Sequence, residues 1–427
     1  MMRKLFRVLL ATIAVLLAAT GCVQKASAEV LKSDKPRDTS PQVSDNTVAG
    51  LVNGNNTFAL KLYHLLGAQN GNIFFSPYSI SEALAMTYAG ARGQTAQDMA
   101  KALDFNLPQE SLHPAFNQVD LDLAQRGKGA KGKNGEGFQL KVVNAIWGQQ
   151  GFQFQAPYLD TLAVNYDAGL RVVDFIKQPE QSRTTINRWV EDQTASRIKD
   201  LLPPGSINAM TRLILTNAIY FNAAWLSPFQ KSATADGIFN RLDASTENVP
   251  MMKQTLSFRY AEGDNFQAVE LPYDGRDTSM VVLLPASGKF NIFEQSLDAV
   301  SMAQILNSLS QQQVALTMPK FQYDSTFGLK QALSTLGMSV AFTDAADFSG
   351  MDGKRDLLIQ DVLHKAFVSV DEAGTEAAAA SAVIVGTTAM PVKIAQMTMD
   401  RPFIFLIRDN PTGSILFLGR VLDPGAK

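Results

Sequence analysis

The sequence predicts an α+β protein built on large antiparallel or mixed sheets, and three observations support this prediction. Of its 427 residues, 46% are apolar and only 18% are charged, which is typical of a soluble globular protein with a sizeable core. Strand-like runs and helical stripes follow one another without the regular strand–helix–strand rhythm of a parallel sheet. No linker-like change of composition interrupts residues 50–427, so we expect one large domain there.

Helical patterns dominate the first part of this domain. Residues 56–66 carry an apolar stripe, and a longer stripe covers residues 81–103 after an opening Ser-Pro pair at residues 76–77. Residues 139–148 and 213–221 are rich in Val, Ile and aromatic residues, which favours buried strands. A further helical face is predicted between these strands, over residues 184–202.

The second part is mostly strand-like. Its single clear helical pattern lies at residues 327–336. The predicted strands cover residues 266–271, 279–284, 314–318, 366–370, 403–407 and 415–421.

Charge and cysteine content exclude several functions. The 38 basic and 40 acidic residues give a formal charge of −2, so no global field favours nucleic acid. We see no basic patch for a heparin-type cofactor and expect no cofactor. Cys22 is the only cysteine, so no disulfide can form within the chain. No metal site is expected either, because the histidines are too scattered for a zinc cluster: His64, His113 and His364.

The amino terminus has the pattern of a secretory signal. Basic residues within positions 1–7 precede an apolar stretch at 8–20, which is shorter than the roughly 20 residues that span a bilayer. Residues 19–22, Ala-Thr-Gly-Cys, resemble a bacterial lipobox, which predicts removal of residues 1–21 and acylation of Cys22. Cleavage after Ala28 is the alternative. Export is expected in both cases, either to the cell envelope as a lipoprotein or to the periplasm or exterior.

Residues 22–46 are predicted to form a polar tether. Between Ala28 and Asn46 the chain has two prolines and no apolar period, which indicates too few apolar side chains to fold. The globular part is expected to begin near Thr47.

No catalytic motif is supported. Residues 127–133 match a glycine-rich phosphate loop only in part, since Asn134 stands where Ser or Thr is required. Residues 196–199 spell S-x-x-K, but the S-D-N at residues 44–46 precedes it and no K-T-G follows. His364 is the one histidine in an apolar strand context, and we predict a core histidine. An enzyme is therefore not expected.

Residues 371–390 are locally ambivalent. Residues 376–382 have high helix propensity, whereas the β-branched run at 383–385 favours extended structure. Propensity alone favours a small helix or a mobile linker.

The sequence resembles the serpin family over essentially all of residues 50–427. Eight segments match the family in order: NIFFSPYSIS (72–81), LTNAIYFNAAWLSPF (215–229), LTMPKF (316–321), ADFSG (346–350), HKA (364–366), DEAGTEAA (371–378), DRPFIFLI (400–407) and FLGRV (417–421). The resemblance implies about nine helices around three sheets, with an exposed reactive loop at about residues 374–393. It also implies an inhibitor, expected to be monomeric, that traps proteases as a suicide substrate when the cut loop enters the main sheet. A non-inhibitory carrier or chaperone-like binder is the alternative.

The resemblance also assigns roles to residues. The hinge of the loop would comprise Glu372, Gly374, Thr375, Ala377 and Ala379. In a strand, the period of two sends residues 375, 377, 379, 381 and 383 to one face, and all five are small or apolar. Glu376, the sole charge in that stretch, falls on the opposite face.

Three further sites follow from the resemblance. The shutter under the main sheet would comprise Ser76, Ser79, Asn217 and His364, and Trp225 would lie at the breach where the hinge enters. Counting seventeen residues from Glu372 inclusive places the reactive bond between Thr388 and Ala389. Small or medium apolar residues around that bond suggest an elastase-like or subtilisin-like serine protease, or a papain-like cysteine protease, as the target.

Overall fold

The computed structural model describes residues 28–130, 138–375 and 393–426. Within these ranges the chain forms ten α-helices: α1 Asp45–Gly67, α2 Pro77–Tyr88, α3 Gly93–Ala102, α4 Gln109–Leu123, α5 Ala156–Tyr166, α6 Pro179–Gln193, α7 Phe290–Ser296, α8 Ala299–Ser308, α9 Lys330–Leu333 and α10 Ser349–Asp352. A π-helical turn, Ser334–Met338, and 3₁₀ turns at Lys231–Ala233 and Ser339–Phe342 complete the helical elements.

The strands of the described residues form two hydrogen-bonded sheets. Sheet A has the order β1-β4-β3-β5-β13-β12-β11, and the second sheet has the order β14-β10-β7-β8-β9-β15-β16-β2, with β6 paired to β7. The strands are β1 Glu29–Leu31, β2 Ile73–Phe75, β3 Phe138–Gln149, β4 Leu170–Val173, β5 Leu213–Ala224, β6 Ala235–Asn240, β7 Thr246–Gly263, β8 Phe266–Pro272, β9 Thr278–Pro285, β10 Ser310–Pro319, β11 Phe321–Gly328, β12 Ile359–Val370, β13 Gly374–Thr375, β14 Ala395–Thr398, β15 Phe403–Asp409 and β16 Ile415–Val421.

The expected three sheets become two networks because of the length of β7. This strand has 18 residues and pairs with β6 over residues 246–251, with β10 over residues 251–260 and with β8 over residues 259–263. It therefore belongs to two groups of strands that would otherwise be separate sheets. The predicted α+β class is confirmed.

The core lies between sheet A and the second sheet. Phe221 of β5 points toward the second sheet, with its ring 5.1 Å from that of Tyr273 and 5.5 Å from that of Phe417. Helix α2 lies deep in this core, and all twelve of its residues are buried. It begins where it does because Ser76 caps its amino end and Pro77 occupies the first turn, where no backbone N–H is needed.

Several predicted helices differ from those in the structure. The stripe at 81–103 is divided into α2 and α3, since a bend between them is fixed by the Arg92 N–H, which donates to the Asp347 carbonyl at 2.9 Å. The helix predicted over 184–202 ends at Gln193, and Ala195 and Ser196 have φ values of 50° and 60°. Phe327, the first residue of the helix predicted at 327–336, instead lies near the end of β11, opposite His364.

The structure does not support an unfolded tether before Thr47. Glu29–Leu31 forms strand β1, which pairs antiparallel with β4 at the edge of sheet A. The Asp38 N–H donates to the Val164 carbonyl at 2.9 Å. Arg37 donates from Nε to Asn117 Oδ1 at 2.8 Å and forms an ion pair with Asp120 at 2.5 Å. The prediction was wrong for residues 28–46. Backbone hydrogen bonds and polar side-chain pairs order this segment, and a search for apolar periodicity cannot detect such interactions.

Candidate functional site

The predicted hinge begins inside sheet A. Strand β13 lies between β5 and β12, with Thr375 opposite Ala223 on one side and Val370 on the other. Thr375 is 1% exposed. The reactive loop was expected to be exposed from Gly374 onward, and this boundary is wrong: sheet hydrogen bonding and burial already hold residues 374–375.

Gly374 is required by close approach. A Cβ atom at this position would overlap the carbonyl oxygen of Ala223 on β5. Because backbone atoms cannot give way as a flexible side chain can, any other residue would push β13 out of the sheet.

Glu372 anchors the chain just before β13. Its Oε1 accepts from Thr234 Oγ1 at 2.8 Å, and its Oε2 accepts from Lys320 Nζ at 2.9 Å. Burial is the largest single influence and raises the pKa of the Glu372 carboxyl, but the hydrogen bonds from Lys320, the backbone and Thr234, together with the charge of Lys320, outweigh it and lower the pKa. The carboxylate therefore remains charged and ties the hinge to Lys320, which directly follows β10.

The predicted breach residue, Trp225, contacts this hinge directly. Its backbone N–H donates to the Ala373 carbonyl at 2.8 Å, and its indole Nε1 donates to the Asp371 carbonyl at 3.0 Å. The indole ring stacks on Tyr273 at 4.7 Å between centroids. The Tyr273 hydroxyl is 2.7 Å from Thr375 Oγ1, so the end of the hinge is fixed to both sheets.

Below the hinge, β5 and β12 pair directly with each other. They run parallel, with Asn217 opposite His364 and Ile219 opposite Ala366. A chain that continued from Thr375 would run antiparallel to both strands, so it could enter only by separating this parallel pair.

The four predicted shutter residues meet at this pair. His364 Nδ1 donates to Asn217 Oδ1, while His364 Nε2 accepts from the Ser76 N–H at 3.2 Å. Asn217 Nδ2 donates to Ser79 Oγ at 2.5 Å, and the Ser79 N–H donates to Ser76 Oγ at 3.2 Å. Side-chain hydrogen bonds thus link β5, β12 and the start of α2.

The geometry fixes His364 in its neutral form. One ring nitrogen donates and the other accepts, which only a neutral imidazole can do. Complete burial lowers the pKa of His364 to about 3. The prediction of a satisfied core histidine agrees with its 0% exposure.

Sequence reasoning missed Asn144 of β3, which extends this network. Asn144 lies opposite Asn217 and accepts from its Nδ2. Asn144 Nδ2 donates to the Ser79 carbonyl at 3.2 Å and to Glu82 Oε2 at 2.7 Å. A signal was present: the same tripeptide, Asn-Ala-Ile, begins at residues 144 and 217 in two apolar strands.

Several predicted positions lie outside the described residues: Cys22, Ala377, Ala379, Thr388 and Ala389. Within the described ranges, no group of three or more metal-ligating side chains is placed to hold a metal ion. No helix in those ranges is both long and apolar enough to cross a bilayer.

Comparison with known proteins identifies the class. The profile of the family described as Serpin (serine protease inhibitor) matches residues 53–424. A loop hinge held at the top of a central sheet, above a closed parallel pair of strands, is consistent with this match, and the chain belongs to the serpin family. It is thus a member of a family of protease inhibitors and not an enzyme.

Individual relatives support the assignment. The chain is 41% identical over 377 residues to a serpin-like protein of Thermococcus kodakarensis, covering 88% of this chain and 86% of that one. It is 39% identical to the leukocyte elastase inhibitor of Bos taurus, covering 87% of this chain and 98% of that one. The native structure of the thermophilic serpin tengpin superposes with a TM-score of 0.81 at 28% identity, covering 93% of this chain and all of tengpin.

Proposed function

We propose that this protein inhibits serine or cysteine endopeptidases by covalent trapping, with insertion of its cut loop into sheet A. The observation that carries the proposal is the position of β13. Its two residues already occupy the top of the slot between β5 and β12. The described start of the loop therefore lies in line with the slot through which the rest would extend the sheet.

The pairing register specifies where each loop residue would go. Continued antiparallel from Thr375, the register on β5 brings Ser381 opposite Asn217, and the register on β12 brings Ser381 opposite His364. The two registers agree, because Asn217 and His364 already face each other. Full insertion thus requires the hydrogen bond between these two shutter residues to break.

The same register determines which side chains would be buried. Residues directly opposite each other share a face of the sheet. Thr375 and Asn217 both face the second sheet, so residues 377, 379, 381 and 383 would face it too. These side chains are Ala, Ala, Ser and Val, which fit a closed core at little cost.

Insertion would exchange one parallel ladder for two antiparallel ones. Antiparallel pairing is slightly more stable per residue, and the number of backbone hydrogen bonds also rises. A protease whose nucleophile attacks the Thr388 carbonyl forms an acyl-enzyme and releases the Ala389 amine. If insertion outruns hydrolysis of the acyl bond, the protease is carried along the sheet and remains attached.

The target class follows from the residues around the proposed reactive bond. Residues 383–390 are small or medium apolar side chains with glycine and threonine, which suit a shallow apolar specificity pocket. Relatives from Bos taurus and Homo sapiens, at 39% and 38% identity, are among those named leukocyte elastase inhibitors. We therefore propose elastase-like or subtilisin-like serine proteases, or papain-like cysteine proteases, in preference to trypsin.

The proposal is tested by mixing the protein with pancreatic elastase, subtilisin, papain and trypsin in separate reactions. We expect a complex that survives denaturing electrophoresis with at least one of the first three, together with a released peptide beginning at Ala389. Cleavage of the loop without any stable complex would favour the alternative of a non-inhibitory carrier. A different new amino terminus would move the reactive bond and with it the argument on specificity.

Export is a separate proposal. The signal-like residues 1–21 and the lipobox at residues 19–22 support attachment to the cell envelope through acylated Cys22. Growth with labelled palmitate should mark the wild-type protein and not Cys22→Ala. An unlabelled wild type whose mature chain begins at Glu29 would establish the alternative cleavage after Ala28.

A further inference from the structure

A cavity of about 620 Å³ opens on the second sheet beside the breach. This volume is within the range of sites that bind small organic molecules, about 300–1,000 Å³. Its lining includes the half-buried apolar side chains of Leu226 and Pro272, and Pro272 lies in the same cross-strand row as Ser279 and Arg408. The lining also contains three arginines: Arg259, Arg276 and Arg408.

One of these arginines is already neutralised. Arg259 of β7 lies directly opposite Glu270 of β8, and its Nη1 donates to Glu270 Oε2 at 2.7 Å. The other carboxylate oxygen of Glu270 accepts from Ser279 Oγ at 2.6 Å. Glu270 is the one acidic side chain among the described residues that line the cavity, so the lining carries an excess of two positive charges.

Arg408 is the more constrained of the remaining two. It extends from β15 into the same face of the sheet, and its Nε is buried without a hydrogen-bond partner among the described residues. Burial lowers the pKa of Arg408. An unpartnered buried donor is costly, and an anion in the cavity would remove that cost.

Arg276 completes a cationic end at the mouth of the cavity. Its side chain is exposed, whereas its backbone is fixed, because its carbonyl accepts from Asn410 Nδ2 at 3.0 Å. A rim cation can adjust to a ligand whose anionic group is held deeper by Arg408.

We propose that this cavity binds a small organic anion, with an apolar body against Leu226 and Pro272 and an oxyanion group at Arg408 and Arg276. The site does not depend on loop insertion. The proposal of anion binding can therefore be wrong while the proposal of protease trapping is right, and the reverse.

The test uses the full chain with an intact loop and 2-naphthoate as the probe, with 2-naphthamide as its neutral counterpart. We expect saturable one-to-one binding of naphthoate by calorimetry, accompanied by a change in tryptophan fluorescence. Naphthamide should bind at least tenfold more weakly. Arg408→Gln should lower naphthoate affinity at least tenfold, and Arg276→Gln should lower it about threefold.

Arg355→Gln is the matched control, since Arg355 has a side chain that is 75% exposed, pairs with Asp347 and does not line the cavity. It should bind naphthoate like the wild type. Equal binding of naphthoate and naphthamide, or full affinity in Arg408→Gln, would overturn the proposal. Inorganic sulfate binding as tightly as naphthoate would also overturn it, because the apolar wall would then contribute nothing. If Arg408→Gln fails to fold, unchanged naphthoate affinity in Arg276→Gln would overturn the proposal instead.

Discussion

Under the proposed mechanism, single residues decide whether the loop can enter sheet A. Thr375 is buried against Tyr273, and in an inserted strand the period of two would place Ala377 on the same face, two residues further into the slot. A charge on this face must leave water, whereas a charge one residue away can remain at the outer face of the sheet. A charge introduced at one position is therefore expected to block insertion, whereas the same charge at the next position is expected to allow it.

Ala377→Glu should convert the proposed inhibitor into a substrate. Burial of an unpaired carboxylate costs several kcal/mol. Insertion therefore becomes slower than hydrolysis of the acyl bond, and the protease is released. We expect cleavage by elastase to continue while the stable complex falls at least tenfold, measured by denaturing electrophoresis. Ala378→Glu places the same charge on the opposite face and should trap normally. Equal complex formation by the two variants would contradict the insertion register.

A buried carboxyl in the shutter predicts an unusual pH dependence. Burial, reinforced by nearby Asp120, raises the pKa of Glu82 from 4.5 to about 8. Between these values the folded protein holds a proton that the unfolded chain has released. This contribution to the free energy of unfolding is therefore fully present below about pH 4.5 and is lost as the pH rises toward 8.

Glu82→Gln should abolish this loss of stability with rising pH, because the amide is neutral at every pH. We expect the thermal unfolding midpoint of the wild type to fall relative to that of the variant between about pH 5 and 8, and the difference to level off above pH 8. The exposed Glu110→Gln should follow the wild type. The lowered pKa of His364 has the opposite effect on stability: the free energy of unfolding falls as the pH is lowered below about 6.5, because the unfolded chain then binds a proton that the folded protein does not. Parallel profiles for wild type and Glu82→Gln would rule out a buried proton at this site.

At the scale of elements, the segment at residues 28–46 reinforces the edge of sheet A. Strand β1 covers β4, and Arg37 joins the segment to α4 through Asn117 and Asp120. The charge of Arg37 also lowers the pKa of Glu82, which bonds to Asn144 in the shutter. This amino-terminal segment is thereby connected electrostatically to the centre of the molecule.

Arg37→Ala should destabilise the native protein by about 1–2 kcal/mol, since it breaks a half-buried ion pair and leaves Asn117 Oδ1 without this donor. Denaturant unfolding of the intact protein measures the change. Lys35→Ala is a control in the same segment: its side chain is 61% exposed, and because solvent screens its pair with Asp160, its loss should have a smaller effect than that of Arg37→Ala. Equal decreases in the free energy of unfolding for the two variants would contradict a special contribution of the half-buried Arg37 contacts.

For the whole molecule, the proposed insertion of the cut loop between β5 and β12 predicts that the native state is not the most stable one. An added strand supplies on the order of ten backbone hydrogen bonds, at about 0.5–1.5 kcal/mol each. Protein whose loop has been cut should therefore unfold at a midpoint at least about 10 °C above that of the uncut protein in calorimetry. Ala377→Glu, cut in the same way, should show a smaller rise. A cut wild type that unfolds at the native temperature would mean that the loop does not insert.

The sequence determined the fold class and many of the central elements, because apolar periodicity and local motifs are properties of short stretches. Strands such as β5 and β16 were predicted in this way, and the resemblance brought together Ser76, Ser79, Asn217 and His364. The boundaries were less well predicted. Phe327 suits a helix by pattern, yet it pairs with β12, because ladder hydrogen bonds outweigh local propensity.

Only the tertiary structure decided features that depend on residues distant in the chain. The polar residues 28–46 fold because β4, α4 and α5 offer partners, and no local pattern encodes those partners. Asn144 joins the shutter because β3 lies in register with β5. Gly374 and Thr375 are buried because the slot between β5 and β12 is open at that end. Arg408 Nε has no hydrogen-bond partner among the described residues, and the nearby Glu270 already accepts from Arg259 and Ser279. In each case the free energy comes from groups far apart in sequence, which only the folded chain brings within bonding distance.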